Sequence, residues 1–265
     1  MSSQDQHKGL AIVTGASRGI GAEYAQRLAS RGYPLLLVGR DKTRLQQVSE
    51  HISRDHHVKV IIECLDLSIV GAAHQLFALA QKSKTPVDIL INNAGFGMYG
   101  TFSDMPMTRI REMLQLHITT VVESTRLFLP TMIERRSGAI INVASVAGFL
   151  PIPYMAEYAA TKAFLISFSE ALAEEVRESG VTIQTCCPGS TETNFHNTAG
   201  YRPTNPLGSQ TAQEVVQASL TGLDKHRSRI TVGWQGWLSD RFLRFLPRTL
   251  LIQMVGKQVK PRTRD

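Results

Sequence analysis

Gly9-Leu10-Ala11-Ile12-Val13-Thr14-Gly15-Ala16-Ser17-Arg18-Gly19-Ile20-Gly21 is the stretch whose reading decides the fold. An apolar run feeds a glycine-rich turn, and a helical pattern follows from Ile20 to Ala29. Strand, glycine turn and helix together make a setting in which helix-start N–H groups hold a phosphate. Gly15 lets the chain turn, while Gly19 and Gly21 let backbone approach a pyrophosphate and let helix pack on strand. The spacing is Gly-x-x-x-Gly-x-Gly rather than the commoner Gly-x-Gly-x-x-Gly, and no Gly-Lys-Ser/Thr follows, which excludes a P-loop. The bland alternative is a plain tight turn.

Working outward, short apolar runs recur at steady spacing. Residues 33–38, 58–65, 87–92, 139–144, 181–187 and 228–232 read as further strands. Between them 41–54, 68–81, 108–134, 156–179 and 211–225 read as helices, and the polar stretch 191–210 reads as a lid-like loop. Continuous apolar strands alternating with helices predict an α/β fold: a single-domain, Rossmann-like, doubly wound parallel sheet of about seven strands with helices on both faces. Right-handed crossovers put every strand C-terminus on one edge. The glycine turn, Arg40, Asp66 and Asn93 all fall there, as a cofactor crevice requires. The domain runs from 9 to 233, with an N-terminal tail of 1–8 and a basic extension of 234–265.

Arg40 stands where an acidic residue would bond the ribose 2′-hydroxyl of NAD; an arginine there accommodates the 2′-phosphate of NADP. Arg18, inside the glycine turn, can approach the same phosphate. Two arginines against the displaced Asp41 favour NADP(H). The alternative is that Arg40 is only a surface residue leading a helix.

Tyr158-Ala159-Ala160-Thr161-Lys162 puts a phenol and an amine one helical turn apart on one face. A nearby cation favours phenolate, which makes a weak phenol a usable general acid or base. Alone, the pair is a weak signal, and a solvated helix face reads the same way.

Composition bounds the rest. The chain has 265 residues, 43% hydrophobic, with a mean hydropathy of −0.08. That is ordinary for a globular domain with a sizeable core. The polar first eight residues carry no signal-peptide pattern, and no apolar run approaches a membrane span. Three cysteines, two of them adjacent (Cys186 and Cys187), argue against a disulfide framework and for reducing cytoplasm. His56-His57 lacks further ligands at metal spacing, so no metal is expected. The net charge of +7 sits in the tail: residues 225–265 hold 10 Lys/Arg against 2 Asp/Glu, and the remainder 19 against 20. That tail reads either as a solvated extension or as a footprint for a membrane surface, which would make the protein peripheral there. Residues 234–260 alternate apolar and basic side chains at helical spacing around Pro247. They read as an interfacial helix, or as one closing over the substrate pocket or a partner subunit. No motif that reads nucleic acid accompanies the basic tail, so no nucleic-acid partner is expected.

Taken together, the motifs resemble those of the short-chain dehydrogenase/reductase family over residues 9–232. The matching elements are Thr14-Gly15-x-x-x-Gly19-Ile20-Gly21, Asn92-Asn93-Ala94-Gly95, Ser145 thirteen residues before Tyr158, Tyr158-x-x-x-Lys162, and Pro188-Gly189 with Thr193. The resemblance implies that Tyr158 is the acid/base, that Lys162 lowers its pKa and binds the nicotinamide ribose, and that Ser145 holds the substrate oxygen. It implies that Gly15, Ser17, Arg18, Gly19, Ile20 and Gly21 cradle the pyrophosphate. Asp66 and Leu67 would face the adenine, and Asn93, Ala94 and Gly95 would line its ribose. Pro188, Gly189, Thr191 and Thr193 would hold the carboxamide and begin the substrate loop at 190–210. It also implies a small-molecule carbonyl or alcohol substrate, here with an apolar pocket, and a homodimer or homotetramer. One position departs: His117 stands where the family usually has an asparagine supporting a proton relay. Histidine can donate and accept, so the relay survives in altered form, or His117 is a structural histidine bonded to backbone. From another class, the alternative is a non-catalytic NADP(H)-binding sensor or scaffold.

Overall fold

A computed structural model describes residues 8–191, 209–233 and 247–260 of the chain. Seven parallel strands form one sheet in the order β3-β2-β1-β4-β5-β6-β7. They are β1 (Leu10–Thr14), β2 (Leu35–Gly39), β3 (Val60–Cys64), β4 (Val87–Asn92), β5 (Gly138–Val143), β6 (Val181–Cys187) and β7 (Arg229–Thr231). The helices are α1 (Gly19–Ser30), α2 (Lys42–His56), α3 (Ala72–Lys82), α4 (Met107–Leu114), α5 (Thr120–Glu134), α6 (Ala156–Glu175), α7 (Ala212–Leu223) and α8 (Arg248–Val259).

The strands are apolar throughout because both faces are covered. Along β1, Leu10 and Ile12 join the core beneath α3, α5 and α6, while Ala11 and Val13 join the core beneath α1, α2 and α7. The same alternation divides Leu36 and Val38 from Leu35 and Leu37 on β2. Strand order reverses between β1 and β4, and the crevice opens at the carboxyl ends of those two strands.

The helix expected at 108–134 is interrupted. A π-helical stretch, Gln115–Thr119, separates α4 from α5. Just past it, the Thr120 hydroxyl donates to the Leu67 carbonyl at 2.8 Å, tying the helix to the end of the third βα unit. The extra residue in the turn rotates His117 inward, where it is buried. The helix expected to reach residue 179 ends at Glu175, where Val176 leaves helical geometry and Gly180 takes a φ of +81°. Beyond Pro247 the tail does form a helix, α8. The loop expected at 191–210 falls almost wholly outside the described residues, as does Thr193.

Candidate active site

The glycine turn is built for close approach. Gly15 and Gly19 have φ of +65° and +56°, the left-handed region that favours glycine. A Cβ on Gly21 would lie 2.3 Å from the Gly15 carbonyl oxygen. Arg18 caps α1 with extended backbone and no side-chain cap, so the first N–H groups of α1 keep their capacity for an anion. Asn93 holds this turn in place. Its amide donates to the carbonyls of Thr14 at 2.9 Å and Gly15 at 3.3 Å, while the Thr14 hydroxyl accepts from the backbone N–H of Asn93 and of Ala94. The Asn93 side chain thus binds the end of β4 to the end of β1.

A cleft of about 220 Å³ lies over this turn. Gly15, Ser17, Arg18, Gly19, Ile20, Arg40, Asp66, Leu67, Asn93, Ala94 and Gly95 line it together, so eleven of the residues singled out for cofactor binding meet in one place. Gly21 packs behind them. Arg40 is exposed, 4.0 Å from the Asp66 carboxylate. Burial opposes ionisation of Asp66, but the Ser68 hydroxyl and N–H, with Arg40 and Arg109, outweigh it and hold its pKa below the ordinary value. Phe96 lines the cleft as well, and so does Leu116, which was missed from sequence because it belongs to no motif.

At the other end of the crevice, β5 delivers Ser145, and α6 presents Tyr158 and Lys162 one turn apart. Ser145 stands beside the Tyr158 phenol and draws its pKa down against the effect of burial. The Ser145 hydroxyl also accepts from the Ala147 N–H at 3.1 Å. Lys162 Nζ donates to the Val143 carbonyl at 2.9 Å and stands 5.7 Å from the centre of the Tyr158 ring. Pro188 and Gly189 close this end. The Pro188 carbonyl accepts from the Val146 N–H, the Gly189 N–H donates to Gln210 Oε1 at 3.2 Å, and the Thr191 hydroxyl donates to the Gly189 carbonyl.

The resemblance assigns Lys162 the lowering of the Tyr158 pKa in the working site. In this arrangement burial dominates and pushes Tyr158 up to about 12, with Ser145 pulling the other way. The lysine is itself buried, its pKa drawn down to about 8, and its ammonium is directed at a backbone carbonyl. Desolvation is the first cause of both shifts.

His117 is fully bonded. The Phe96 N–H donates to its Nε2 at 3.1 Å, which requires a lone pair there. Its Nδ1 meets the Thr161 hydroxyl at 3.0 Å, and that hydroxyl donates its own proton to the Tyr158 carbonyl at 2.8 Å. Nδ1 therefore carries the imidazole proton and donates it to Thr161. Burial, then the Lys162 charge, hold the pKa well below 6.5, so the ring is neutral. A Cβ on Gly95 would lie 2.9 Å from Nε2, so the histidine fits only against a glycine. The ring links the Gly95-Phe96 segment to the turn of α6 that carries Tyr158. Thr161 was missed from sequence because it occupies an unspecified position of Tyr-x-x-x-Lys.

Among the described residues, no helix is long and apolar enough to cross a membrane, and no cluster of His, Cys, Asp or Glu is arranged to hold a metal ion.

Comparisons with known proteins agree with this fold. Residues 9–203 match the family model described as short chain dehydrogenase. The human very-long-chain 3-oxoacyl-CoA reductase is 37% identical over 187 residues, covering 67% of this chain and 58% of the relative. The chain thus spans under two thirds of the length of that relative. A short-chain dehydrogenase from Sphingobium yanoikuyae, solved in complex with NADPH, superposes with a TM-score of 0.81 at 30% identity, over 97% of this chain and 98% of that one. The bulky-bulky ketone specific alcohol dehydrogenase from Comamonas testosteroni superposes with a TM-score of 0.76 at 27% identity, over 98% and 97%.

Proposed function

Because the chain belongs to the short-chain dehydrogenase family, we propose that it is an NADP(H)-dependent oxidoreductase interconverting a carbonyl and a secondary alcohol. The observation that carries this reading is the meeting of Ser145, Tyr158 and Lys162 at one end of a crevice whose other end holds the glycine turn and two arginines. The residues fit the cofactor: an uncapped helix N-terminus faces the cleft for the pyrophosphate, and Arg18 and Arg40 flank it for a 2′-phosphate. Bound there, the nicotinamide supplies or accepts the hydride.

The chain's own groups do the rest. Ser145 holds the substrate oxygen beside the Tyr158 phenol. Tyr158, protonated at neutral pH with a pKa of about 12, gives its proton to that oxygen in reduction, as the carbon gains hydride. Lys162 offsets the phenolate that remains and binds the ribose. His117 holds the Gly95-Phe96 segment and α6 in register and takes no proton itself. In oxidation the phenolate takes the alcohol proton, which needs a higher pH or a cation close by.

An apolar carbonyl is the proposed substrate. Tyr99, Tyr154 and Ile152 stand at the mouth, with Tyr99 and Tyr154 rings 6.4 Å apart. The human relative is a very-long-chain 3-oxoacyl-CoA reductase and the Comamonas neighbour a bulky-bulky ketone specific alcohol dehydrogenase, which supports the same class. Ile133 on α5 and Phe164 on α6 are large and exposed, which supports pairing with a second copy through those helices.

The test is fluorescence titration with NADPH and NADH, followed by NADPH oxidation against short, aromatic and lipid-like carbonyls. Tyr158→Phe is expected to keep NADPH affinity and lose about 10²–10⁴-fold in turnover. Wild-type turnover in that variant would overturn the assigned mechanism. Tight NADPH binding by the native chain with no turnover on any carbonyl would turn the reading to a sensor or scaffold.

A further inference from the structure

The C-terminal helix α8 packs against Tyr99, which the proposed function puts at the substrate mouth. The Tyr99 hydroxyl donates to the Val259 carbonyl at its last turn. A Cβ on Gly256 would lie 3.2 Å from Pro153 Cγ, so the helix backbone rides directly on that proline. Pro153 adjoins Tyr154, whose carbonyl accepts from the Gly100 N–H at 3.0 Å. Leu251 is buried on the inner face, with Ile252, Val255 and Val259 partly buried around it.

This seating turns the opposite face outward. Leu250 and Met254, one turn apart, are 48% and 53% exposed, and Lys257 and Lys260 continue the same end of the helix in solvent. Three residues beyond Tyr99, Phe102 is 57% exposed, and Met107 is 56% exposed. Four of the nine exposed large hydrophobics among the described residues therefore lie on two segments joined by the Tyr99–Val259 bond. Single exposed apolar residues need no explanation, but grouped ones at a site mouth do. On this helix face the described charged side chains are Lys257 and Lys260, both exposed. Residues 225–265 carry a net +8, from 10 Lys/Arg and 2 Asp/Glu, and the other residues a net −1, from 19 and 20.

We infer that this face docks on an anionic lipid bilayer, with Leu250, Met254 and Phe102 at the headgroup boundary and Lys257 and Lys260 against lipid phosphates. Exposed apolar side chains beside lysines on one helix face are the pattern of an interfacial helix. A second copy is a poorer occupant, since pairing these faces would set Lys257 and Lys260 against the same two lysines. Docked this way, the mouth opens toward the bilayer, and a lipid-like carbonyl enters from it. That last clause rests on the oxidoreductase reading; the docking does not.

The experiment is co-sedimentation of the full chain with phosphatidylcholine vesicles, with and without phosphatidylglycerol. Binding is expected only to the anionic vesicles, and to be lost in about 1 M salt, where the Debye length is ~3 Å. Leu250→Glu with Met254→Glu should abolish binding while leaving the thermal melt and turnover of a short water-soluble ketone unchanged. Lys257→Gln with Lys260→Gln should weaken binding roughly 25-fold, about fivefold per lysine. Absence of binding by the native chain, or wild-type binding by the Leu250/Met254 variant, overturns the inference. So does a dimer that the same variant splits without any vesicle binding, which assigns the face to a second copy. Anionic-vesicle binding by a protein that turns over no carbonyl upholds the docking and overturns the activity.

Discussion

At the residue scale, one pKa and one guanidinium decide the chemistry. Burial holds the Tyr158 proton tightly, so the cofactor-free protein is expected to show no tyrosinate absorbance attributable to Tyr158 below about pH 10. The measurement is the difference titration between wild type and Tyr158→Phe. Adding NADP⁺, which brings a cationic ring, should move that step to lower pH, and a step that ignores the cofactor would separate Tyr158 from the nicotinamide. Arg40 is exposed and meets its nearest carboxylate only at 4.0 Å, so it is free to turn toward a phosphate. Arg40→Asp is expected to weaken NADPH about 10–100-fold, the scale of a charged hydrogen bond, and NADH far less. Equal loss in the two fluorescence titrations would sink the 2′-phosphate assignment.

At the element scale, the site depends on how strand ends are tied together. Asn93 joins β4 to the glycine turn of β1 through two carbonyls, and its own backbone N–H rests on Thr14. Asn93→Ala is expected to cost about 1–3 kcal/mol, as buried partners lose their bonds. With ~2–4 °C per kcal/mol for a domain of this size, the melting temperature should fall by several degrees, and NADPH affinity with it. An unchanged melt would mean that the amide contributes nothing beyond what water can replace. The π-helical stretch Gln115–Thr119 acts in the same way on the other side, since its extra residue turns His117 toward Gly95, Phe96 and Thr161.

At the scale of the whole molecule, buried titratable groups shape stability against pH. The folded Lys162 has a pKa of about 8 and an ordinary value of 10.5, so between these the unfolded chain holds the proton that the folded chain releases. Stability therefore rises with pH from about 8, at up to ~1.4 kcal/mol per pH unit. Above about 9 the effect is opposed by Cys186, raised from 9.0 to about 11, whose folded form keeps the proton longer. Denaturant melts of wild type and Lys162→Met at pH values between 8 and 9 should differ in slope, with the rise absent in the variant. His117 gives the acid limb. Its pKa is lowered in the folded chain, so its contribution is present above about 6.5 and lost as pH falls, when the unfolded chain protonates first.

The strand alternation, the order of elements and the gathering of the glycine turn, Arg40, Asp66 and Asn93 on one sheet edge were legible in the sequence. Apolar runs of strand length, glycine spacing and right-handed crossovers are local or topological rules, and they act before any side chain finds a distant neighbour. The one-turn spacing of Tyr158 and Lys162 was legible for the same reason. What only the tertiary structure decided depends on burial and on contacts far apart in sequence. The direction of the Tyr158 shift follows from desolvation, which no motif encodes. The neutral state of His117 follows from Phe96 and Thr161, partners 21 and 44 residues away. The break in the helix at 115–119 and the seating of α8 against Tyr99 and Pro153 are likewise set by packing. The Tyr99–Val259 bond joins residues 160 apart in sequence, a contact that no local pattern encodes.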